Sequence, residues 1–232
     1  MNKRKKQIQE DLIEDKQYLV EEAVKLMQSF PKLKFKESID IAIKLGINPQ
    51  KSDQNMRGAI SLPSGSGKPC RVAVFVEGEL AKKALDAGAD MVGMVDLVDS
   101  IKKGEIDYDV VIATPDTMKL VSPLGKQLGP KGLMPNPKEG TVTKDVIKAV
   151  EKAKAGQIRY KSDKNGIIHG RIGDISYSEN EIKDNIETLL LALKKTKPAS
   201  AKGIFIKDLS ISSTMGPGLQ LDISSLNFWG YE

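Results

Sequence analysis

The sequence predicts a two-domain protein of mixed α/β and α+β class. Both ends of the 232-residue chain show apolar residues that alternate with polar ones, as in a sheet with one wet face. The middle shows short continuous apolar runs separated by helical segments, as in a buried parallel sheet. We therefore expect a discontinuous α+β sandwich domain from residues 1–67 and 160–232. A Rossmann-like α/β domain, residues 68–159, is inserted into it, and glycine-containing crossings near 65–67 and 155–156 would form a two-strand hinge.

The N-terminal part of the chain predicts one helix and two strands. Apolar residues at helical spacing indicate a helix that ends near Ser29, because Pro31 cannot continue it. From Phe35 to Leu45 the apolar residues share one parity, which predicts an amphipathic strand. The segment from Gly58 to Leu62 predicts a second strand.

The middle of the chain alternates between strands and helices. The predicted strands are Val72–Val76, Met91–Val95 and Val110–Ala113, and the predicted helices are Gly78–Ala87, Asp96–Lys103 and Thr143–Ala155. This alternation predicts a parallel sheet with right-handed crossovers.

The C-terminal part returns to the alternating pattern. Ser178 and Glu181 have the spacing of a capping box, and the helix that they begin should end at Pro198. The predicted strands on either side of this helix are Ile158–Lys161, Gly166–Ile172, Gly203–Ser213 and Leu219–Ile223. The tail to Glu232 shows no readable period.

The stretch from Pro123 to Gly140 is rich in turns and in positive charge. It holds four of the 11 prolines, four glycines and the lysines Lys126, Lys131 and Lys138. Proline fixes φ and glycine permits positive φ, so this backbone is bent rather than floppy. A rigid cationic loop suits an anionic partner. A connecting loop with solvated lysines is the alternative.

The composition favours a cytoplasmic protein. No apolar run reaches the ~18 residues of a membrane-spanning helix, and no apolar stretch follows the basic start to form a secretory signal. The single cysteine, Cys70, excludes an internal disulfide. The net charge is only +5, but Ala23–Lys36 and Thr188–Lys207 are lysine-containing runs without acids, like much of the turn-rich stretch. Runs that converge in space would form an RNA footprint, and runs that do not would be solvated faces.

The sequence lacks the motifs of a catalytic or cofactor site. Pro63–Pro69 superficially suggests a phosphate loop, but Leu62 and Pro69 stand where that motif needs Gly and Ser or Thr. The first strand of the middle region is not followed by G-x-G-x-x-G. His169 is the only histidine and there is no cysteine pair, so zinc binding and His-dependent catalysis are not expected. We expect no enzyme, catalytic residue, metal or cofactor; a small-molecule enzyme built on the inserted domain is the alternative.

A turn and an aromatic residue are candidates for RNA contact. Thr214-Met-Gly-Pro-Gly218 combines a hydroxyl, a soft apolar side chain and glycines that let a backbone come close to phosphates or sugars. An ordinary tight turn is the alternative. Phe35, between Lys34 and Lys36, either packs in the core or lies at the edge of an RNA surface. His169 is structural or RNA-facing rather than catalytic.

Several motifs occur in order along the chain. They are Lys44-Leu-Gly-Ile47, Lys51-Ser-Asp-Gln-Asn-Met-Arg-Gly58, Thr114-Pro-Asp116, Leu124-Gly-Lys-Gln-Leu-Gly-Pro-Lys-Gly-Leu-Met-Pro-Asn-Pro-Lys138 and Thr214-Met-Gly-Pro-Gly218. Together they resemble the signature of the bacterial large-subunit ribosomal protein L-one family. The resemblance covers nearly the whole chain, except the first ~15 residues and those after about Ser224.

The resemblance implies a split first domain that binds the rRNA of a mobile stalk, and an inserted Rossmann-like domain on a hinge. It also implies that the stalk moves with deacylated tRNA leaving the exit site. Members of this family repress their own operon's mRNA by binding an rRNA-like site. The implied partners are therefore large-subunit stalk rRNA, exit-site tRNA and the protein's own operon mRNA. The protein would be monomeric within the ribosome and would not contact a membrane.

The resemblance also implies which residues face RNA. They are Lys34, Phe35, Ser38, Thr214, Met215, Gly216 and Pro217, with Lys164 and His169 in the matching turn and strand. Ser38 stands where the family often has Thr, and the hydroxyl is kept. Asp208 falls where some relatives have a Ser contact, so that role is not carried over.

Overall fold

A computed structural model describes residues 8, 12–13, 16–51, 53–67, 69–104 and 107–226. Contacts divide these residues into two compact units. The first unit contains the described residues up to Gly67 together with those from Ile158 onward, and the second contains those between. That these units are independent domains joined by a hinge, with boundaries near residues 67 and 160, stays a prediction. The basic start and the residues after 226 lie outside the described part.

The regular elements follow the predicted order. The strands are β1 (Ser38–Leu45), β2 (Arg57–Ser61), β3 (Val72–Phe75), β4 (Met91–Gly93), β5 (Val110–Ala113), β6 (Gln157–Lys161), β7 (Ile167–Asp174), β8 (Ile206–Ser213) and β9 (Gly218–Gln220). The α-helices with defined bounds are α1 (Val20–Ser29), α2 (Glu79–Asp86), α3 (Val95–Lys103), α4 (Met118–Val121), α5 (Gly125–Leu128), α6 (Val146–Lys154) and α7 (Glu179–Lys195). Short 3-10 turns cover Ser122–Leu124, Pro137–Glu139 and Ile223–Ser225.

An antiparallel sheet in the order β7-β1-β8-β9 organises the first unit. Alternate residues of β1 and β8 are buried, and α1 and α7 pack on this inner face. The other face carries polar side chains, as the alternating pattern predicts. α7 begins with the predicted capping box, since Ser178 and Glu181 each accept the other's backbone N–H. β2 and β6 form a separate two-stranded sheet.

A parallel sheet in the order β4-β3-β5 forms the centre of the second unit. All residues of β3 and β5 are buried, because both faces of the sheet are covered. One face packs against α2 and α6, and the other against α3 and the short helices α4 and α5. The predicted parallel α/β arrangement of this segment is therefore confirmed.

The turn-rich stretch from Pro123 to Gly140 is folded onto the second unit. Its buried leucines join the apolar cluster on one face of the parallel sheet: Leu124, Leu128 and Leu133. The Asn136 N–H donates to Thr141 Oγ1 (2.7 Å) and closes the end of the stretch. The lysines of the stretch are exposed. The compact backbone agrees with the bent conformation expected of these prolines and glycines.

Several predicted bounds were wrong by a few residues. Helix α6 begins at Val146 rather than at Thr143, because the Asp145 N–H donates to Thr143 Oγ1 (3.1 Å) in a turn before the helix. On this helix Val146 and Val150 are buried, whereas Ile147 is 38% exposed. β8 begins at Ile206 instead of Gly203, which has a φ of +82°.

Two short strands end earlier than predicted. β4 stops at Gly93, because helix α3 begins at Val95. β9 stops at Gln220, and Ile223, predicted to lie in the strand, begins a 3-10 turn. That turn is capped by Asp222, whose Oδ1 accepts the Ser224 N–H (2.9 Å).

We predict that Asn185→Leu destabilises the protein more than a matched surface change does. The buried Asn185 amide accepts the Ser64 N–H (3.1 Å) and donates to the carbonyls of Gly65 (3.1 Å) and Ile172 (2.7 Å). Leucine leaves these groups unpaired, which should lower the free energy of unfolding by about 1–3 kcal/mol. Urea denaturation measures this, with Asp184→Leu on the exposed face of α7 as the control. Equal effects of the two substitutions would contradict the role of the amide.

Candidate nucleic-acid interface

Two hydroxyl groups are fixed at one end of the antiparallel sheet. Ser38 begins β1 and Thr214 directly follows β8, and these strands are paired with Ile39 opposite Ser213. Thr214 Oγ1 accepts the Ser38 N–H (3.0 Å) and lies 3.0 Å from Ser38 Oγ. The Thr214 N–H donates in turn to the Ser38 carbonyl (3.1 Å). Thr214 is exposed and Ser38 is half-buried, and Ser38 Oγ also donates to Asp40 Oδ2 (3.3 Å). The two hydroxyls are therefore held in a set geometry at this edge of the unit.

The turn after Thr214 is held by a buried acid. The Met215 N–H donates to Glu37 Oε1 (3.1 Å), and Glu37 is almost fully buried. The Gly216 N–H donates to the Ser213 carbonyl (3.1 Å). A Cβ at Gly216 would lie 2.4 Å from Ser213 Oγ, so a larger residue here would force the Ser213 hydroxyl to move. The buried carboxylate therefore fixes the conformation of the turn, and both the RNA contact and the ordinary tight turn stay open as interpretations of it.

Apolar and cationic side chains surround the hydroxyl pair. Phe35 is 52% exposed and Met215 59% exposed, while Lys34 is exposed and Pro217 half-buried. The contacts of Ser38 with Thr214 bring the two segments side by side. We call Lys34, Phe35, Ser38 and Thr214–Pro217 the Ser38–Thr214 surface.

The prediction of a strand beginning at Phe35 was wrong, and so was the alternative that Phe35 packs in the core. The strand ladder begins at Ser38, because the preceding Glu37 is held by groups outside it. Its carbonyl accepts the Ile175 N–H (3.1 Å) and its side chain accepts the Met215 N–H. Phe35 instead lies at the rim of a groove of about 490 Å³, lined by Met27, Leu33, Lys36 and Ile175 among others.

Lys164 and His169 lie elsewhere on the same sheet. His169 is exposed on the open face of β7, opposite Ala42 of β1, with Nε2 3.9 Å from Asp163 Oδ2. Lys164 lies in the turn before β7 and is exposed. β7 is antiparallel to β1, so this turn lies at the Lys44 end of the sheet rather than at the Ser38 end. The structure therefore does not bring Lys164 to the hydroxyl pair.

The acid-free runs lie at opposite ends of the first unit. Ala23–Lys36 leads into the Ser38–Thr214 surface. The end of Thr188–Lys207 lies where β8 begins, with Ile206 opposite Leu45. At ~3.3 Å per residue, the two ends of this strand pair are about 23 Å apart. These two runs do not converge into one footprint.

An exposed apolar residue marks this second end. Ile204 is 74% exposed, and Lys202 and Lys207 beside it in sequence are exposed too. Lys197 Nζ lies over the Phe205 ring, 5.7 Å from its centroid. We call Lys197, Lys202, Ile204, Phe205 and Lys207 the Ile204 surface.

Sequence reasoning missed two acids near the Ser38–Thr214 surface. Glu37 fixes the turn after Thr214, and Asp174 lies opposite Ser38 and pairs with Lys36 (3.0 Å) and Arg171. Neither acid belongs to a periodic pattern or a motif. Their position within or beside lysine- and arginine-containing segments was the only available signal.

The described residues show neither a metal site nor a membrane-spanning helix. Within the part of the chain that the structure describes, no group of three or more His, Cys, Asp or Glu side chains is arranged to hold a metal ion. No helix in that part is long and apolar enough to cross a bilayer.

Comparison with known proteins identifies the class first. The family model described as "Ribosomal protein L1p/L10e family" matches residues 25–217. "Large ribosomal subunit protein uL1" of Saccharophagus degradans is 59% identical over 226 residues, covering 97% of this chain and 98% of the relative. The proteins of the same name from Actinobacillus succinogenes and Vibrio campbellii are 54% and 56% identical, each over at least 97% of both chains.

The chain belongs to the ribosomal protein L1p/L10e family. The resemblance drawn from the sequence motifs is thus confirmed. The relatives are named as ribosomal proteins and not as enzymes, which confirms the expectation that the chain is not an enzyme.

We predict a pH-dependent contribution from the turn that carries Lys164. The Ile167 and Asn165 N–H groups donate to Asp163 Oδ1 (2.8 Å each). These bonds, that of Ile167 above all, hold the pKa of the Asp163 carboxyl below its ordinary value of 3.8. The ionised form therefore stabilises the fold above the unfolded pKa, and this stabilisation is lost as the pH falls through the folded pKa.

Thermal unfolding of Asp163→Asn tests this pH dependence. The variant should be less stable than the wild type near pH 7, and the difference should shrink as the pH falls below 3.8 and through the folded pKa. Asp163→Ala also removes the acceptor oxygens, so this variant should remain less stable than the wild type at neutral and at acidic pH. A deficit of Asp163→Asn that is independent of pH would contradict the effect of the charge.

Proposed function

We propose that this protein is a structural constituent of the large ribosomal subunit that binds the rRNA of the mobile stalk through the Ser38–Thr214 surface. The observation that carries the proposal is the fixed pair of hydroxyls, Ser38 Oγ and Thr214 Oγ1 at 3.0 Å, on a half-buried serine and an exposed threonine. The family membership supports the ribosomal part of the proposal.

The chemistry of the surface suits the backbone and shape of folded RNA. Hydroxyl and backbone groups hydrogen-bond to phosphates and ribose hydroxyls, and such contacts fix the register of a protein on RNA. Phe35 and Met215 offer apolar contact to sugars or to unstacked bases. Lys34 and its neighbours add affinity through counterion release. With aromatic residues at only 5% of the chain, recognition by shape is favoured over a platform for base stacking.

We predict that Thr214→Val weakens binding to a stalk rRNA transcript at fixed salt. The valine removes the group that accepts the Ser38 N–H and that faces solvent. The loss should be about 1–3 kcal/mol, or roughly 5- to 150-fold in Kd. Thr214→Ser keeps the hydroxyl and should bind nearly as the wild type does.

Ser38→Ala separates the RNA contact from the structural bond. It leaves Thr214 Oγ1 free to accept the residue 38 N–H, so the fold is kept while one RNA-facing hydroxyl is lost. An unchanged Kd for folded Thr214→Val and Ser38→Ala would contradict the assignment. Because an rRNA-like site in the operon mRNA would use the same surface, binding to that mRNA should weaken in parallel, as translational repression requires.

We further propose that exit-site tRNA contacts the same unit at the Ile204 surface. The observation that favours this is the separation of the two surfaces by about 23 Å along the sheet. The Ile204 surface would therefore stay accessible while the Ser38–Thr214 surface holds rRNA. Lys202 and Lys207 are exposed, and no ion pair involving them occurs within the described residues. Assistance in the release of deacylated tRNA would follow from a weak contact of this kind.

Reciprocal lysine variants test the two surfaces. Lys202→Gln with Lys207→Gln should weaken tRNA binding to the protein–rRNA complex and lower its salt slope by ~0.7–0.9 per lysine. Stalk rRNA binding should change little. Lys32 is exposed in the acid-free run that leads into the Ser38–Thr214 surface, and Lys32→Gln with Lys34→Gln should do the reverse. Equal effects of both pairs on both RNAs would contradict separate surfaces.

A further inference from the structure

We infer that Asp174 is a positioning residue for the rRNA-binding face. Its buried carboxylate holds the cationic groups of Lys36 and Arg171 in fixed positions on that face. This inference rests on the proposed function. It adds a specificity element that lies outside the Ser38–Thr214 surface itself.

The Asp174 carboxylate is buried and bonded to two cations. Asp174 ends β7 opposite Ser38, and its side chain is only 4% exposed. Lys36 Nζ lies 3.0 Å from Oδ2, and Arg171 Nη2 donates to Oδ1. The cations themselves are partly exposed. The carboxylate therefore anchors two positive groups beside Phe35 and Ser38 while leaving them accessible from solvent.

The chain crossing at Gly67 covers the other side of this carboxylate. Gly67 has a φ of +73°, and a Cβ there would lie 2.7 Å from Asp174 Oδ2. The segment is held in place by the Asn185 amide, which bonds the backbone of Ser64 and Gly65. The Tyr177 hydroxyl also donates to the Ser64 carbonyl (3.0 Å). The backbone at Gly67 thus lies against the Asp174 carboxylate, and a residue with a Cβ at this position would clash with it.

A buried carboxylate with two cationic partners restrains those cations. Removing one partner of such a group leaves the others uncompensated. Without the Asp174 charge, Lys36 and Arg171 would be free to neutralise any phosphate, which strengthens non-specific binding and its salt dependence. They would also lose the fixed placement that a particular RNA shape requires. The inferred function of Asp174 is therefore to make binding selective for stalk rRNA over other RNA, rather than to raise the affinity for RNA in general.

The test compares Asp174→Asn with the wild type on a stalk rRNA transcript and on an unrelated duplex RNA of equal length. For the unrelated RNA, the slope of log Kd against log salt should steepen by about 1–2, one increment for each released cation. The stalk rRNA should not gain affinity. The ratio of the Kd for the unrelated RNA to the Kd for the stalk rRNA should fall by roughly tenfold. A change of this size corresponds to the loss of one charge-assisted hydrogen bond.

A second variant keeps every charge and displaces the carboxylate. Gly67→Ala should lower the same Kd ratio, because its Cβ would clash with Asp174 Oδ2. Gly88→Ala is the matched control: Gly88 has a φ of +96° with nothing within 4 Å of an added Cβ, so it shares the backbone strain without the clash. If Asp174→Asn does not fold, this pair decides the question.

The outcomes separate this inference from the proposed function. If the wild type binds stalk rRNA and the unrelated duplex with equal Kd, the proposed function is overturned and this inference with it. A wild type that discriminates overturns the inference alone if folded Asp174→Asn shows the wild-type slope and ratio, or if Gly67→Ala matches Gly88→Ala. Loss of thermal stability with unchanged slope and ratio assigns Asp174 a structural role only.

Discussion

The pairing of β1 with β8 is the constraint on which the rest of the first unit depends. Ser38 and Thr214 are 176 positions apart in the sequence, and only the antiparallel register with Ile39 opposite Ser213 brings them together. A shift of one residue would turn the buried isoleucines of β1 to solvent, so the apolar core fixes this register. The core therefore sets the geometry of the two hydroxyls, although none of its side chains belongs to the Ser38–Thr214 surface.

The same register explains why the candidate binding groups lie at the strand ends and on one face. α1 and α7 cover the inner face, which leaves the outer face and the ends of the strands for polar contacts. At the Ser38 end, the buried acids Glu37 and Asp174 each hold groups that lie at the surface. A buried carboxylate is costly unless it is bonded, and both acids are bonded to backbone or cationic groups that shape the surface. The Ile204 end carries its lysines on the segment before β8.

Local patterns were sufficient to predict most elements, and long-range contacts account for the errors. The capping box at Ser178 and the buried strands of the parallel sheet could be predicted because their signals lie within a few residues. The start of β1 could not, because Glu37 is engaged by Met215 and Ile175, which no periodicity reveals. The residues predicted to face RNA came from the family motifs rather than from periodicity, and Asp174 belongs to no motif or periodic pattern. Its role depends on a glycine backbone more than a hundred positions away in the chain.

The central claim is that the Ser38–Thr214 surface contacts the stalk rRNA in the assembled subunit. Site-specific photo-cross-linking tests it most directly, with benzoylphenylalanine in place of Met215 in one protein and of Ile204 in another, each assembled into large subunits. Both side chains are well exposed, so either probe can reach a neighbouring RNA. We predict that the probe at position 215 cross-links to stalk rRNA and that the probe at 204 does not. Cross-links to that rRNA from position 204 and none from position 215 would contradict it.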